Sequence, residues 1–483
     1  MVTVENALTP FFKQAAAQPN KTAIVDGDGR SISYGDLADR SKGLAANLLG
    51  AGISAGDRVL LALPVTLNLY LAMAALWRLG SIIVFPEPAL GIAGLKHAVN
   101  IAKPDAFLCE GKFKTLPWIS KPIRSLPLKI DLKKHVGTAE DAGAFKDHPS
   151  EGEDPALISF TSGSTGIPKA ISRTHKFLLA QNDCLRPLIG NAGPDDVDLV
   201  AFPVFVIANL AMGLTSVLPN WPLKKHDSVN PETVASLVRS KNITRVLVPP
   251  SICEHLVSVA NPPSLNSIFT GGGPVFPDLL KDLAGAYPNA DIVSVYGSTE
   301  AEPIAHQHYK DIPADAWEKM QSGSGLFAGT PVDVINLEII DDEIIVTGQH
   351  VNLSYMNGVG DTENKLRRSG KIWHKTGDAG RLDAVGGLWL RGRVSAKAGA
   401  FYPFEVEVAA RNWPGVKQAA LIPGSDPSCL ALAGDEPEAG VWESHAKLFP
   451  GLNITKLSFI PLDKRHRSKV DYPALEKCLR KLS

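Results

Sequence analysis

The chain has 483 residues, 45% of them hydrophobic and 20% charged, which is ample for a buried core and too long for one ordinary domain, so two or three packed units are expected. A formal net charge of −1 gives no electrostatic case for nucleic acid or an anionic membrane as partner. Five scattered cysteines (Cys109, Cys184, Cys253, Cys429 and Cys478), with no Cys-x-x-Cys pair, argue against a zinc site or a disulfide framework and suit a reducing compartment; the expected location is cytoplasmic.

The N-terminus has no basic patch leading into an apolar core, so no signal peptide is expected. Residues 8–17 have the period of an amphipathic helix, closed by the turn Gln18-Pro19-Asn20. Two short strands, 22–26 and 31–33, flank Asp28-Gly29. A helix follows over 34–50, a buried strand over 57–64, a helix over 67–79 and an apolar strand over 81–85. The apolar run 59–79 is broken by Pro64, Asn68 and Arg78, which fits strand then helix better than an integral membrane segment. Strand–helix alternation of this kind implies a parallel sheet covered by helices. A less regular stretch rich in Pro and Lys occupies 112–148.

Next comes 159–170, Ser-Phe-Thr-Ser-Gly-Ser-Thr-Gly-Ile-Pro-Lys-Ala, behind a strand expected at 156–160. Thr161, Ser162, Ser164 and Thr165 supply hydroxyls, Gly163 and Gly166 let the backbone close on a ligand, and Lys169 adds a mobile point charge. A polyphosphate is the natural ligand. The spacing is neither that of the Walker loop nor the dinucleotide Gly-x-Gly-x-x-Gly turn. With Pro168-Lys169 behind it, this loop resembles the ATP-phosphate loop of the adenylate-forming superfamily: acyl-CoA synthetases, luciferases and peptide-synthetase adenylation domains. The spellings Ile32-Ser33-Tyr34-Gly35-Asp36-Leu37 and Gly56-Asp57-Arg58-Val59 are similar to the opening of the same enzymes.

A helix is expected from 174 to about 185, and an apolar strand over 197–206 ending in a Pro-x-Phe corner. Many acyl-CoA synthetases carry His just after that corner; here the position is Val206. Helix 232–240, strand 245–248, helix 252–259 and strand 267–270 form a second strand–helix series, followed by Gly271, Gly272 and Gly273. The resemblance places these glycines against adenine. After a strand at 291–295 comes Tyr296-Gly297-Ser298-Thr299-Glu300, similar to the family's Tyr-Gly-x-Thr-Glu. The resemblance implies that the aromatic and backbone atoms face the nucleotide and that Thr299 and Glu300 hold Mg²⁺, a hard cation suited to oxygen ligands. A hairpin is expected over 337–346, turning on Asp341-Asp342. Thr376-Gly377-Asp378 matches the family's Thr-Gly-Asp, in which the carboxylate accepts from ribose hydroxyls; Arg393, after a strand at 388–390, matches the arginine that accompanies it, and Ser395 matches the hinge.

The resemblance covers essentially the whole chain. It implies an α/β fold: a large N-terminal domain of parallel-rich sheets with helices plus a β-subdomain (1–393), then a small mobile α+β lid (394–483). Lys469, followed by Val470-Asp471, resembles the lysine of the family's Gly-Lys-Ile-Asp segment, which contacts the substrate carboxylate and the α-phosphate. Implied cofactors are ATP and Mg²⁺, and the implied reaction is activation of a carboxylic acid as acyl-AMP. No acid–base dyad or nucleophilic Ser or Cys is needed. His374, His466 and the isolated histidines are expected to be structural or surface groups, with His175 the one open case. Apolar walls at 204–209, including Phe205, Val206 and Asn209, with 271–273 and 296–298, suggest a hydrophobic acid.

After Gly392-Arg393, CoA ligases usually show Asp-Asp-x-Ile-Lys-x-x-Gly-x-Arg-Ile. Here the stretch is Val-Ser-Ala-Lys-Ala-Gly-Ala-Phe-Tyr-Pro, shorter and without the arginine, which leaves CoA open as a cosubstrate. Val197-Asp198-Leu199, Val206, Trp389, Ser395 and Arg465-His466 ahead of Lys469 are similar to the β-lactone synthetases of bacterial olefin biosynthesis, where the β-hydroxyl of an adenylated 3-hydroxy acid attacks its own carbonyl. An acyl- or aryl-CoA ligase, an acyl-AMP ligase serving a carrier protein, and a nucleotide-binding pseudoenzyme are the alternatives. The last would have been favoured by loss of Lys469, Glu300 or Asp378, and all three are present.

Overall fold

The computed structural model describes residues 6–86, 91–137, 143–161, 168–223, 229–259, 263–462 and 469–480. The chain divides into two compact units: Met1–Leu223 with Lys241–Ile243 and Gln349–Glu363, and Lys224–Ser240 with Thr244–Gly348 and Asn364–Ser483.

The first unit contains a six-stranded sheet in the order Leu128–Asp131, Ala106–Cys109, Arg58–Ala62, Ile82–Phe85, Pro155–Phe160, Ala170–Thr174. All neighbours are parallel except the last pair. The central strands are apolar on both faces, as helix-covered parallel strands require. Helix Leu67–Arg78 is buried along nearly its whole surface, and Arg78, at its end, is neutralised by Asp147 at 2.8 Å and donates to the Ser41 hydroxyl. Helix Tyr34–Gly50 starts at Ser33, whose side chain accepts from the Asp36 N–H and caps the first turn. A second group of strands in this unit pairs Val197–Val200, Thr215–Val217 and Thr22–Val25 in parallel, with Ser31–Ser33 antiparallel to Thr22–Val25.

Two expectations change here. Only Val197–Val200 of the run 197–206 is strand; Pro203–Met212 is a helix. Pro203 stands at its start, where a missing N–H is harmless, and Gly213 ends it with φ 81°. Phe205, Val206 and Asn209 therefore sit on a helix. The stretch 112–148 is also more regular than its composition suggests, with strand Leu128–Asp131 and short helices at Leu116–Ile119 and Lys121–Arg124; helix Gly91–Ala102 and strand Ala106–Cys109 precede it.

In the second unit, Arg245–Val248, Ser267–Gly271 and Asp291–Ser298 run parallel, and Ala301–His308 turns back antiparallel to the last of them. Antiparallel strands continue through Leu326–Pro331, Leu388–Arg393, Lys371–Leu382 and the hairpin Asn336–Ile340/Glu343–Thr347. Asp341 and Asp342 at the hairpin tip have φ of 49° and 67°, the left-handed pair that a two-residue hairpin turn demands. Beyond residue 394 a three-stranded sheet, Val416–Leu421, Ser428–Gly434 and Leu452–Leu457, is flanked by helices Pro403–Ala410, Val441–Ala446 and Tyr472–Leu479. Val406, Trp413, Leu421, Leu430 and Trp442 form a core of their own there. The architecture is mixed α/β with a β-rich section and a small α+β section at the C-terminal end, as expected.

Candidate active site

Strand register creates the centre of the site. Strands Lys371–Leu382 and Leu388–Arg393 are antiparallel, and Asp378 is the direct cross-strand partner of Arg393. The Arg393 Nε lies 3.3 Å from the Asp378 carboxylate, and Arg393 Nη1 donates to the Thr376 carbonyl at 2.9 Å. Asp378, foremost among its neighbours, holds the Arg393 guanidinium above its ordinary range, with Glu300 contributing in the same direction. Tyr296, from strand Asp291–Ser298, donates its hydroxyl to the other Asp378 oxygen at 2.8 Å. Burial, reinforced by the negative charge of Asp378, drives the phenol well above its usual range, so it is a committed donor.

The stretch of strand carrying Asp378 is held at each residue. Thr376 Oγ1 donates to the Ile344 carbonyl at 2.9 Å and accepts from the Asp378 N–H at 3.1 Å. The Gly377 N–H donates to Glu343 at 3.0 Å, and Lys375 pairs with the same carboxylate at 3.0 Å. Asp378 is thus held by backbone and side chain, leaving a rigid carboxylate between a phenol and a guanidinium. That is the acceptor a ribose diol needs. Glu343 was not foreseen; nothing in its immediate sequence sets it apart from any other strand-end carboxylate.

Tyr296, Gly297 and Ser298 belong to the strand itself, and Thr299-Glu300 is the two-residue tip joining it to Ala301–His308 through the pair Ser298–Ala301. The Ser298 hydroxyl is buried and has no hydrogen-bond partner among the described residues, an orphan polar atom beside Tyr296 of the kind a polar ligand satisfies. Glu300 and Thr299 offer a carboxylate and a hydroxyl, oxygen donors that suit Mg²⁺. Among the described residues no group of three His, Cys, Asp or Glu could hold a metal, so a divalent ion at this tip would complete its shell with phosphate and water.

The glycine trio has a second cause. A Cβ on Gly271 would lie 2.5 Å from the Val295 carbonyl of the paired strand, so strand packing alone demands glycine there. Gly272 follows with φ 77°, carrying the chain out of the strand.

In the other compact unit, the Thr161 N–H donates to the Lys169 carbonyl at 2.9 Å, joining the two ends of the glycine- and hydroxyl-rich segment. Ser162, Gly163, Ser164, Thr165 and Gly166 lie outside the described residues. The Lys169 ammonium sits 5.1 Å from the centre of the Tyr355 ring, a cation–π contact. Gly360, at φ 92°, leaves room for its stem, since a Cβ there would meet Lys169 Cε at 2.9 Å. Tyr355 is a residue that sequence reasoning missed, because no motif surrounds it.

Phe205 packs edge-on against Phe202, and Val206 is completely buried. Asn209 was expected in the substrate wall. It is fully buried, and its side-chain amide N–H groups donate to Asp198 and Ser216 at 3.0 and 3.1 Å, while its backbone carbonyl accepts from the Tyr34 hydroxyl. Its side-chain N–H groups brace the interior. His175 is also internal: 1% exposed, its Nδ1 accepts from the Ala7 N–H at 3.0 Å, and burial pushes its pKa down to about 4. It is a neutral structural histidine; His374 is buried, and His466 lies outside the described residues.

Ser395 lies in the single turn Val394–Ala396. Around it, Arg391 bridges Asp342 and Glu405, both at 2.7 Å, and stacks 4.5 Å from the centre of the Tyr402 ring. Tyr402 in turn donates to Asp342 at 3.1 Å. The segment between is a tight reversal, with Ala398 and Phe401 bridged and Ala396, Ala398 and Tyr402 buried. Arg411, further on, pairs with Asp278 at 2.6 Å. Lys469 is exposed, next to the bridge between Leu462 and Val470.

Comparison with known proteins places the chain. Residues 11–354 match the model of the family described as AMP-binding enzyme. An olefin β-lactone synthetase from Xanthomonas campestris pv. campestris is 27% identical over 97% of this chain and 96% of its own; one from Stenotrophomonas maltophilia is 29% identical over 81% and 78%. The rice 4-coumarate–CoA ligase 5 is 26% identical over 86% and 82%. Among solved structures, O-succinylbenzoate coenzyme A synthetase from Bacillus subtilis, in complex with ATP and magnesium ion, superposes with a TM-score of 0.78 at 22% identity, covering 97% of this chain and 99% of that one. With the family model spanning most of its length, this chain belongs to the AMP-binding enzymes, the adenylate-forming family its motifs resemble.

Proposed function

We propose that the protein uses ATP to activate a hydrophobic 3-hydroxy carboxylic acid and closes the acyl adenylate to a β-lactone. Adenylation is supported above all by the braced triad Tyr296–Asp378–Arg393. In this reading Asp378 accepts from the ribose hydroxyls, and Tyr296 and Gly271–Gly273 flank the base. The loop from Thr161 to Lys169 cradles the phosphates. Glu300 and Thr299 would hold Mg²⁺, which when bound supplies positive charge along the polyphosphate.

The substrate carboxylate oxygen attacks the α-phosphorus, and pyrophosphate leaves. Two anions must meet for this, so the main task is electrostatic. Lys469 brings one cation to that encounter and Lys169 another. The section from 394 to 483 acts as the lid that delivers Lys469, turning at Ser395.

Cyclisation is supported by the tight reversal at 396–402, with Ala396, Ala398 and Tyr402 buried, and by the extent of likeness to the two olefin β-lactone synthetases. The C3 oxygen forms a bond to the acyl carbon as that carbon's bond to the AMP oxygen breaks. AMP departs, and the hydroxyl proton passes to water. An internal nucleophile is already held close and needs no thiol channel.

Product analysis tests the reading: ATP, Mg²⁺ and a panel of fatty and 3-hydroxy fatty acids, with and without CoA. AMP release with lactone formed only from the 3-hydroxy acids, indifferent to CoA, is the expected result. A CoA-dependent thioester would replace this reading with that of an acyl-CoA ligase, the activity named for the rice relative. Pyrophosphate exchange alone would point to an enzyme that stops at the adenylate and hands it to a carrier protein.

A further inference from the structure

A charge close to neutral over the whole chain hides a local concentration. Residues 111–134 contain seven Lys and Arg against a single acid, Asp131. Of the seven, Lys114 is neutralised by Asp131 at 2.6 Å; Lys112, Lys121, Lys129, Lys133 and Lys134 are exposed. Among them, on the short helix Leu116–Ile119, stand two of the most exposed large apolar side chains: Trp118 at 76% and Ile119 at 56%.

Their exposure is built in rather than frayed. Leu116, Ile123 and Leu126 anchor the segment in the same core cluster as Phe107 and Val99. Arg124 donates from Nε to the Pro117 carbonyl at 2.9 Å and from Nη2 to the Trp118 carbonyl at 2.7 Å. One face of the segment is sunk in the core, and a guanidinium pins the backbone that holds Trp118 outward. Isolated exposed apolar residues need no explanation, whereas an indole and an adjoining isoleucine fixed outward in a lysine-rich segment do.

We infer that this surface docks the protein on an anionic lipid bilayer, with Trp118 and Ile119 at headgroup depth and the lysines over lipid phosphates. An indole is most at home where one side is apolar and the other wet, and basic side chains add attraction to negatively charged lipid. A single-stranded nucleic acid would call for successive aromatic rings as stacking platforms; here the second apolar group is aliphatic. The inference stands on this patch alone and does not depend on the proposed reaction. Docking there would place the enzyme where hydrophobic acids concentrate.

Flotation of the full chain with vesicles tests it. The vesicles are phosphatidylcholine alone, or with about three parts in ten phosphatidylglycerol, in about 0.05 M and about 0.5 M salt. Expected is co-flotation with the anionic vesicles at low salt and a fall of roughly tenfold at high salt. Both Trp118→Ser/Ile119→Ser and Lys112→Gln/Lys121→Gln/Lys133→Gln/Lys134→Gln should lower partitioning at least about tenfold. Unchanged melting temperatures for both variants would assign that loss to the surface and not to the fold. Three results would overturn the inference: no flotation of the unmodified chain, folded variants that float as it does, or binding of an oligothymidylate, lost in the variants, without vesicle binding.

Discussion

Replacing Asp378 with Asn separates nucleotide binding from folding. The substitution keeps the size of the side chain, and an Asn oxygen can still accept from Tyr296, whose hydroxyl lies 2.8 Å away. What disappears is the negative charge. The ion pair with Arg393 spans 3.3 Å, with the arginine side chain 45% exposed; such a pair contributes no more than about 1 kcal/mol to folding, a shift of a few degrees in melting temperature at most. A ribose diol donating to a fixed carboxylate loses more. Hydrogen bonds to a charged group are worth roughly 1.5–3 kcal/mol, which weakens ATP binding roughly 10- to 150-fold. Calorimetric titration of ATP with magnesium, on both proteins without any acid substrate, reads that number independently of what the acid is. A Kd within about twofold of the unmodified value, in a protein that melts normally, would refute the role given to Asp378.

Lys469→Ala should abolish pyrophosphate exchange while leaving ATP binding within a few-fold of normal; full turnover in that variant would remove the lysine from the reaction. Glu407 offers a test of stability. It is 3% exposed, its carboxylate accepts from the Leu421 N–H at 2.9 Å, and burial pushes its pKa up to about 7. Because the folded value is raised, the favourable contribution is complete below the unfolded pKa of 4.5 and is lost as pH rises through about 7, up to ~3 kcal/mol in all. Glu407→Gln should therefore gain on the unmodified protein in melting temperature between acid and mildly alkaline pH. Parallel melting curves across that range would rule the carboxyl out.

The motifs that identify the family are legible because each combines glycine or hydroxyl residues with a charge in a spacing that core packing does not produce. Thr376-Gly377-Asp378 is one such run, and the structure adds what its letters lack: the register that puts Asp378 opposite Arg393 and the Glu343 and Ile344 partners that brace this part of the strand. Those contacts are long-range and leave no local trace. The expected strand 197–206 overruns into the first turn of helix Pro203–Met212 because an apolar run looks alike in a buried strand and a buried helix; Pro203 and Gly213 are the available signals. Helix Gly91–Ala102 carries glycine at two positions, which weakens its propensity and hid it. The partners of Asn209, Asp198 and Ser216, are likewise set by the fold and leave no pattern around it in the sequence.

The ring formed by Asp342, Arg391, Glu405 and Tyr402 bears on timing. It ties the hairpin tip and the last strand before Ser395 to the start of the helix after it. Any swing about Ser395 would have to uncouple these contacts. An enzyme that must turn its lid to admit an external thiol would meet this detent in every cycle. One whose nucleophile is already part of the bound acid needs no further turn once Lys469 has been delivered.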